Sequence, residues 1–411
     1  MLGVKSNEGL NISSKELSPE GRKQLCATLG LNMLAYRVQA NWLFARLQEK
    51  QETNQDLLFR ITIISMDLCA SIRACLRYEN SYERRYHIKY MIVNLYEAYS
   101  AFYNEASDRK SYIAKWESRN PSIKDDEVYV ALCKELEGLR VQLHDDIKDS
   151  RNSFAHYDDD PIETAKFILG IDSEEKPTRW SCDLLKVFHM MKKVCETRHK
   201  FVIDASVQSI SLETIIVGLV RKQLRSNKDL IECVMEVSGT AEKDLREDIC
   251  SFEFIKKYGD NSQEIVLLLM RIHVLIQIMR ADLASAVKAC IYSDSDMECV
   301  MQIRRLVIIR QEGIGHLQDL WSQMPETLID KEDNAHIEAI KNEILNGERN
   351  KLLHYRYRSS DYIKFCYAYC SNSLNMINGL IDVPPLLNEL TALEQSLTRK
   401  LLRVRDENLH N

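Results

Sequence analysis

The chain has 411 residues, a formal net charge of −6 at pH 7 and an apolar fraction of 45%. This length predicts two domains with sizeable cores. The negative charge excludes a protein that binds nucleic acid over its whole surface, so any such binding needs a local basic patch. The 12 cysteines include no CxxC pair, which is typical of reduced thiols in the cytoplasm. We find no apolar leader and no apolar run long enough for a bilayer, and therefore predict a cytoplasmic protein without a membrane partner.

Taken in chain order, the sequence predicts helices separated by prolines. Ser18 followed by Pro19 predicts a helix start, because serine caps helix N-termini and proline is accepted at the first helical position. A later helix carries apolar residues at helical spacing: Ile88, Met91, Ile92, Leu95, Tyr99 and Phe102. The last helix has an apolar stripe that fits contact with its own domain or with a second copy: Leu386, Leu390, Leu393 and Leu397. Alternating strand patterns are missing, so we predict an all-α fold.

The chain also repeats itself. The segment from Asp67 to Leu76 is similar, without a gap, to the segment from Asp282 to Ile291 at an offset of 215 residues. The same offset matches Glu83 with Glu298, Ile88 with Ile303, Lys89 with Arg304, and Glu97 with Glu312. We predict two domains, 1–205 and 206–411. They would be duplicated helical bundles packed as an intramolecular pseudo-dimer, because a surface that pairs identical subunits can pair two copies in one chain. Helix capping and exposure explain the matched Asp67 and Asp282 equally well.

A seven-residue motif occurs twice, as Arg151-Asn152-Ser153-Phe154-Ala155-His156-Tyr157 and as Arg349-Asn350-Lys351-Leu352-Leu353-His354-Tyr355. Both copies read R-N-x-x-x-H-Y and lie 198 residues apart. On a helix the Arg, Asn and His side chains lie at about 0°, 100° and 140°, which is one side of the cylinder. A guanidinium, an amide and an imidazole on one face can bind and process a phosphodiester.

The chemistry of RNA cleavage suits these residue types. Attack by the neighbouring 2′-hydroxyl needs a base, an acid for the leaving oxygen, and positive charge at the phosphate. His156 and His354 titrate near neutral pH and can act as base or acid. Arg151 and Arg349 present planar, permanently charged groups to a phosphate, and Asn152 and Asn350 can orient an imidazole or bind a ribose hydroxyl. We predict these six residues as catalytic, with no metal and no cofactor.

An all-α domain with R-N-x-x-x-H on a late helix resembles the HEPN superfamily of ribonucleases (higher eukaryotes and prokaryotes nucleotide-binding domains). Both copies match the family at Arg, Asn and His. The resemblance implies a metal-independent endoribonuclease whose two motifs face each other in one composite site. Its RNA substrate, such as tRNA or mRNA, would be left with a 2′,3′-cyclic phosphate.

The resemblance further implies a role as a toxin or an antiphage abortive-infection effector, with a regulatory protein or antitoxin as a partner. One alternative is a catalytically inactive HEPN pair that serves as a scaffold for RNA or protein. Another is an all-α adaptor with no nucleic-acid role. Whether the chain forms a homodimer is left open.

The two copies of the motif differ in their C-terminal neighbours. The acidic run from Asp158 to Asp160 fits a solvated turn before Pro161, a metal ligand set or an autoinhibitory element. The second copy has basic surroundings, so we predict RNA-binding side chains at Lys351, Arg356, Arg358 and Lys364. Tyr157 and Tyr355 adjoin the histidines and are further candidates. Glu97 and Glu312 are candidates for orienting the Arg or His side chains, although a surface salt bridge explains them as well.

Overall fold

The computed structural model describes residues 18–48, 55–78, 81–102, 112–156, 160–199, 212–258, 263–293, 296–341 and 383–409. Within these ranges every regular element is an α-helix or a short 3-10 helix. The predicted all-α fold is therefore confirmed for the part of the chain that the structure describes.

The helices divide between the two predicted domains. Those of the first are α1 (Pro19–Gln48), α2 (Gln55–Arg77), α3 (Ser81–Phe102), α4 (Tyr112–Arg119), α5 (Glu127–His156), α6 (Pro161–Leu169) and α7 (Glu175–His199). Those of the second are α8 (Leu212–Ser226), α9 (Lys228–Tyr258), α10 (Glu264–Tyr292), α11 (Asp296–Trp321), α12 (Lys331–Lys341) and α13 (Val383–Leu409). Short 3-10 helices occupy Pro121–Asp125 and Glu326–Leu328.

Polar side chains cap several of these helices at their N-termini. Ser18 Oγ accepts a hydrogen bond from the Gly21 backbone N–H at 3.2 Å, and Pro19 is the first residue of α1, as predicted. Asp126 Oδ1 accepts bonds from the backbone N–H groups of Val128 and Tyr129 at 3.0 and 3.1 Å. Such caps satisfy donors that have no partner inside the helix, which fixes where each helix starts.

In each half one central helix packs against the helix before it, the helix after it and the last helix of that half. In the first half α2 packs against α1, α3 and α7, and in the second half α10 packs against α9, α11 and α13. Both central helices are buried along most of their length, which is the pattern of a helix enclosed by others. One continuous apolar cluster contains side chains of both halves, from Leu25 on α1 to Leu397 on α13.

The apolar stripe of α13 faces its own half. Leu386, Leu390, Leu393 and Leu397 are buried, and α13 contacts α10 and α12. The first of the two predicted explanations for this stripe, contact with its own domain, is therefore confirmed.

Candidate functional site

The first motif lies in the last turns of α5. Arg151, Asn152 and His156 all belong to this helix, which ends at His156. The backbone of all three residues is therefore helical, and their placement on one side of α5 stays a prediction from helical periodicity. Tyr157 lies outside the described residues. So does the whole second site: Arg349, Asn350, Lys351, His354, Tyr355, Arg356, Arg358 and Lys364.

The helix that carries the first motif lies where the two halves meet. It packs on α3 and α7 of its own half and also contacts α11 of the other half. The next helix, α6, starts at Pro161 and packs against α9 and α10. Asp160 Oδ2 lies 3.7 Å from Arg271 Nη2 on α10, and Lys166 Nζ lies 2.5 Å from Glu253 Oε1 on α9. The chain that leaves the first motif is thus attached to the second half.

Asp160 also ends the acidic run that comes after the first motif. Its Oδ1 accepts a hydrogen bond from the backbone N–H of Ile162 at 3.0 Å, so that it caps α6 just before Pro161. This geometry fits the predicted turn, since the side chain is occupied by a helix end. Asp158 and Asp159 lie outside the described residues.

Buried charges join α2 and α3 to α10 and α11. Lys89 Nζ on α3 lies 2.6 Å from Asp282 Oδ2 on α10, and both side chains are fully buried. Arg304 on α11 forms the corresponding ion pair with Asp67 on α2. Asp67 and Asp282 lie inside their helices and are buried. Both explanations offered by the sequence, helix capping and exposure, are therefore wrong for these two residues.

The Tyr82 hydroxyl also binds the Asp282 carboxylate. It donates a hydrogen bond to Asp282 Oδ1 at 3.0 Å, while Lys89 binds the other carboxylate oxygen. Burial, and then the negative charge of Asp282, raise the pKa of Tyr82 well above 10, so the hydroxyl keeps its proton and remains a donor. Both oxygens of this buried carboxylate thus have a partner, as burial of a charge requires.

A second set of ion pairs links the ends of the same helices. Lys288 on α10 pairs with Glu83 on α3. Arg73 Nε on α2 lies 3.6 Å from Glu298 Oε2 on α11, and Arg77 Nη1 lies 2.8 Å from Glu298 Oε1. The offset of 215 relates Arg73 to Lys288 and Glu83 to Glu298. In both sets the basic residues lie on α2 or α10, and the acidic residue lies on α11 or α3 of the opposite half.

Residues at equal positions in the repeat also come close together. The guanidinium carbon of Arg305 lies 5.2 Å from the ring centroid of Tyr90, and Ala74 and Ala289 belong to one small apolar cluster with Tyr78. Both pairs have the offset of 215 residues. The same offset of 215 relates the helix ends. The helices α2 and α10 end at Arg77 and Tyr292, and α3 and α11 begin at Ser81 and Asp296.

Glu97 and Glu312 are buried rather than exposed. Their exposed fractions are 0% and 7%, on α3 and α11 respectively. The explanation as a surface salt bridge is therefore wrong. Whether either carboxylate orients a motif side chain stays a prediction.

The sequence contains a signal for the buried ion pairs that helical periodicity alone does not reveal. Asp67 with Asp282, and Lys89 with Arg304, keep their charge at matched positions inside apolar helices. A charge is rarely buried without a partner, and two matched positions of opposite sign supply one. Pairing the matched acids with the matched bases therefore identifies these contacts from the repeat.

Within the described ranges no cluster of three or more His, Cys, Asp or Glu side chains is arranged to hold a metal ion. No helix in those ranges is both long and apolar enough to cross a membrane. Comparisons with protein families, with curated proteins and with solved structures found no match to this chain.

Proposed function

We propose that the chain is a metal-independent endoribonuclease whose active site is shared by two HEPN domains, residues 1–205 and 206–411. The two domains would pack as an internal dimer, with the motifs of both contributing to one site. The observation that carries this proposal is a repeated R-N-x-x-x-H motif in a chain whose halves meet through reciprocal contacts.

The reciprocal contacts support an internal two-fold arrangement. In a two-fold interface, if residue i contacts residue j of the partner, then j contacts i in return. The pairs Lys89 with Asp282 and Arg304 with Asp67 obey this rule at the offset of 215. Residues near such an axis meet their own counterparts, as Tyr90 and Arg305 do. A duplicated chain packed as a pseudo-dimer accounts for all of these contacts together.

The position of α5 supports a site between the halves. The motif helix touches α11, and the chain after it is attached to α9 and α10 through α6. A two-fold arrangement would give the second motif the equivalent place beside the first half. Each motif would then lie beside the opposite half, as a composite site requires.

In the proposed reaction the 2′-hydroxyl attacks the adjacent phosphorus and the bond to the 5′-oxygen breaks. One of His156 and His354 removes the proton from the hydroxyl, and the other protonates the leaving oxygen. Arg151 and Arg349 bind the non-bridging oxygens, whose negative charge grows in the transition state. Asn152 and Asn350 orient an imidazole or bind the ribose. The products are a 2′,3′-cyclic phosphate and a 5′-hydroxyl.

We further propose that the enzyme acts as a toxin or an antiphage effector on tRNA or mRNA, under control of a regulatory protein or antitoxin. These roles rest on the resemblance of the motif helices to HEPN ribonucleases. A nuclease of this kind would need such control because uncontrolled cleavage of cellular RNA is lethal.

The test is cleavage of total RNA in EDTA by the full chain and two double variants. Arg151→Ala/His156→Ala and Arg349→Ala/His354→Ala should each lower the cleavage rate about 100-fold or more, because each removes an acid or base and a phosphate ligand. Arg179→Ala, an exposed arginine on α7, is the matched control and should cleave like the parent. The products should carry a 2′,3′-cyclic phosphate.

The variants also separate the alternatives. Loss of activity in only one double variant would contradict the composite site. RNA that stays intact in every lane, including lanes with phage lysate as an activator, would contradict the enzyme. If the parent then binds RNA without cutting it, the scaffold is the better description.

A further inference from the structure

The first half has two elements ahead of its motif helix that the second half lacks at the equivalent place. Between α3 and α5 lie α4 and the 3-10 helix Pro121–Asp125, whereas the fully described stretch between α11 and α12 contains only the 3-10 helix Glu326–Leu328. The sequence agrees, because the offset between the halves falls from 215 residues on α3 to 198 at the motif, which leaves 17 additional residues in the first half. The second half folds without them, so the repeated bundle itself does not require them.

These two elements are fixed against the first turns of α5. The Trp116 ring on α4 packs on the Tyr129 ring of α5, with 5.4 Å between the ring centroids. The Tyr129 hydroxyl donates a hydrogen bond to Glu117 Oε1 at 3.1 Å, and Lys124 Nζ of the 3-10 helix lies 3.4 Å from Glu117 Oε2. The side chains of Trp116, Ile123 and Tyr129 are buried. The helix α4, the 3-10 helix and the start of α5 therefore form one packed unit.

A cavity of about 540 Å³ lies between these two elements and α5. Ile113 on α4 and Tyr129, Val130 and Cys133 on α5 supply its apolar lining. Small-molecule sites in proteins have volumes of about 300–1,000 Å³ and mostly apolar linings, so this cavity has the size and the character of such a site. Atoms that face a cavity lose packing contacts, so a cavity of this volume does not stabilise the fold.

One positive charge at the cavity has no carboxylate partner. The two glutamates that line the cavity are both bound, Glu117 by Lys124 and Glu137 by Arg140, whose Nε and Nη2 donate to its two oxygens at 2.9 and 2.6 Å. Lys134 also lines the cavity, is exposed, and forms no ion pair with any residue that the structure describes. A ligand with a negative group would therefore meet a cation at the edge of a mostly apolar site.

We propose that this cavity binds a small organic anion with an apolar body. The apolar lining would hold the body of the ligand, and the Lys134 ammonium would pair with its negative group. A cationic ligand fits less well, because both glutamates already have positive partners. From Lys134 to Arg151 is about 25 Å along α5 at 1.5 Å per residue. The site is therefore separate from the proposed cleavage site, and the inference does not depend on cleavage of RNA.

Protection of Cys133 from alkylation tests occupancy of the cavity directly. The probe is 8-anilinonaphthalene-1-sulfonate, an aromatic anion that fluoresces when bound, and the readout is the rate at which iodoacetamide labels each thiol of the full chain, by peptide mass spectrometry. Burial raises the pKa of Cys133, so labelling is carried out at mildly alkaline pH. With the probe at about ten times its dissociation constant, labelling of Cys133 should slow about 10-fold, since only the free site reacts. Cys250 on α9 is exposed and is the control within the same chain, with an unchanged rate.

Variants of α5 test the shape and the charge of the site by the fluorescence of the probe. Val130→Trp should fill the cavity and abolish saturable binding. Val141→Trp, at an exposed position further along the same helix, is the matched control and should bind like the parent. Lys134→Gln should weaken binding of the sulfonate about 3-fold, as expected for one exposed charge pair, and leave binding of the uncharged N-phenyl-1-naphthylamine unchanged. Thermal unfolding checks that all variants are folded.

Slower labelling of Cys133 alone, together with loss of binding in Val130→Trp, supports the site. Equal labelling of Cys133 with and without the sulfonate overturns it, and this result needs no variant. Fluorescence that Val130→Trp leaves unchanged also overturns it, because the probe would then bind elsewhere. A Lys134→Gln variant that binds the sulfonate as tightly as the parent overturns the preference for an anion.

Discussion

Lys89 and Asp282 show what a single buried charge pair does for this fold. Both side chains are excluded from water, so the attraction between them must offset the cost of removing two charges from solvent. Such pairs add little net stability compared with an apolar pair of the same size, whereas one buried charge without its partner is strongly destabilising. The reciprocal pairs therefore determine which surfaces fit together more than how strongly they bind.

Removal of one partner should be far more damaging than removal of both. We expect Asp282→Ala to lower the free energy of unfolding by about 3–5 kcal/mol, because the ammonium group of Lys89 stays buried after losing this carboxylate. Lys89→Met/Asp282→Leu should recover most of that loss. Urea unfolding measures both, with Glu175→Ala in the exposed pair with Arg179 as a control that changes stability by less than about 0.5 kcal/mol. A double variant as unstable as the single one would contradict this explanation.

His87 makes the fold sensitive to acid. Burial, and then the positive charges of Arg305 and Arg77, hold its pKa well below 6.5. Burial, and then Lys193 and Lys192, likewise lower the pKa of His189 to about 4. Below pH 6.5 the unfolded chain binds protons that the folded chain does not, so the free energy of unfolding falls as the pH is lowered toward the folded pKa values.

His87→Gln should reduce this acid sensitivity. The repeat has Gln302 at the equivalent position, so an amide is accepted beside Arg305, where Arg305 Nη1 donates to Gln302 Oε1 at 3.1 Å. Each buried neutral histidine makes stability fall by at most about 1.4 kcal/mol for each pH unit between the unfolded and folded pKa values. Urea unfolding from pH 7 to 5 should therefore give a shallower slope for the variant. Equal slopes for parent and variant would contradict the assignment.

At the scale of helices, most of the architecture could be predicted from the sequence. Ser18 with Pro19 located the start of α1, and the apolar spacing from Ile88 to Phe102 located α3. These signals are local, because capping and periodicity depend on residues a few positions apart. Such local signals do not show which other helix a given helix face packs against. Periodicity shows that one side of α3 is buried, but not that Lys89 meets Asp282 on a distant helix.

The candidate site shows the same limit. Arg151, Asn152 and His156 could be placed together from the sequence because they lie on one helix. The contact of α5 with α11 and the attachment of α6 to α9 and α10 could not, since they depend on how the halves pack.

At the scale of the whole molecule, the two halves share one core as well as their ion pairs. The apolar cluster runs through both halves, and apolar contacts are not screened by salt. The shared core, more than the covalent link, should then hold the two halves together.

Cleavage of the link should therefore leave the halves associated. With a protease site inserted in residues 200–211 of the folded chain, we expect the two fragments to elute together in size-exclusion chromatography at both 0.15 M and 1 M salt. A Lys89→Asp variant, which places two like charges against each other, is the comparison that should weaken the complex. Separate elution of the parent fragments at either salt concentration would contradict a shared core.

The contact between Tyr90 and Arg305 has a consequence for assembly. Under the proposed two-fold arrangement these residues face their counterparts, so two copies of the second half would bring Arg305 against Arg305. Like charges forced together in an interface cost several kcal/mol, whereas a ring beneath a guanidinium attracts it. Two copies of the first half would bring together only tyrosines. Under that arrangement the second half would favour the first half over a second copy of itself.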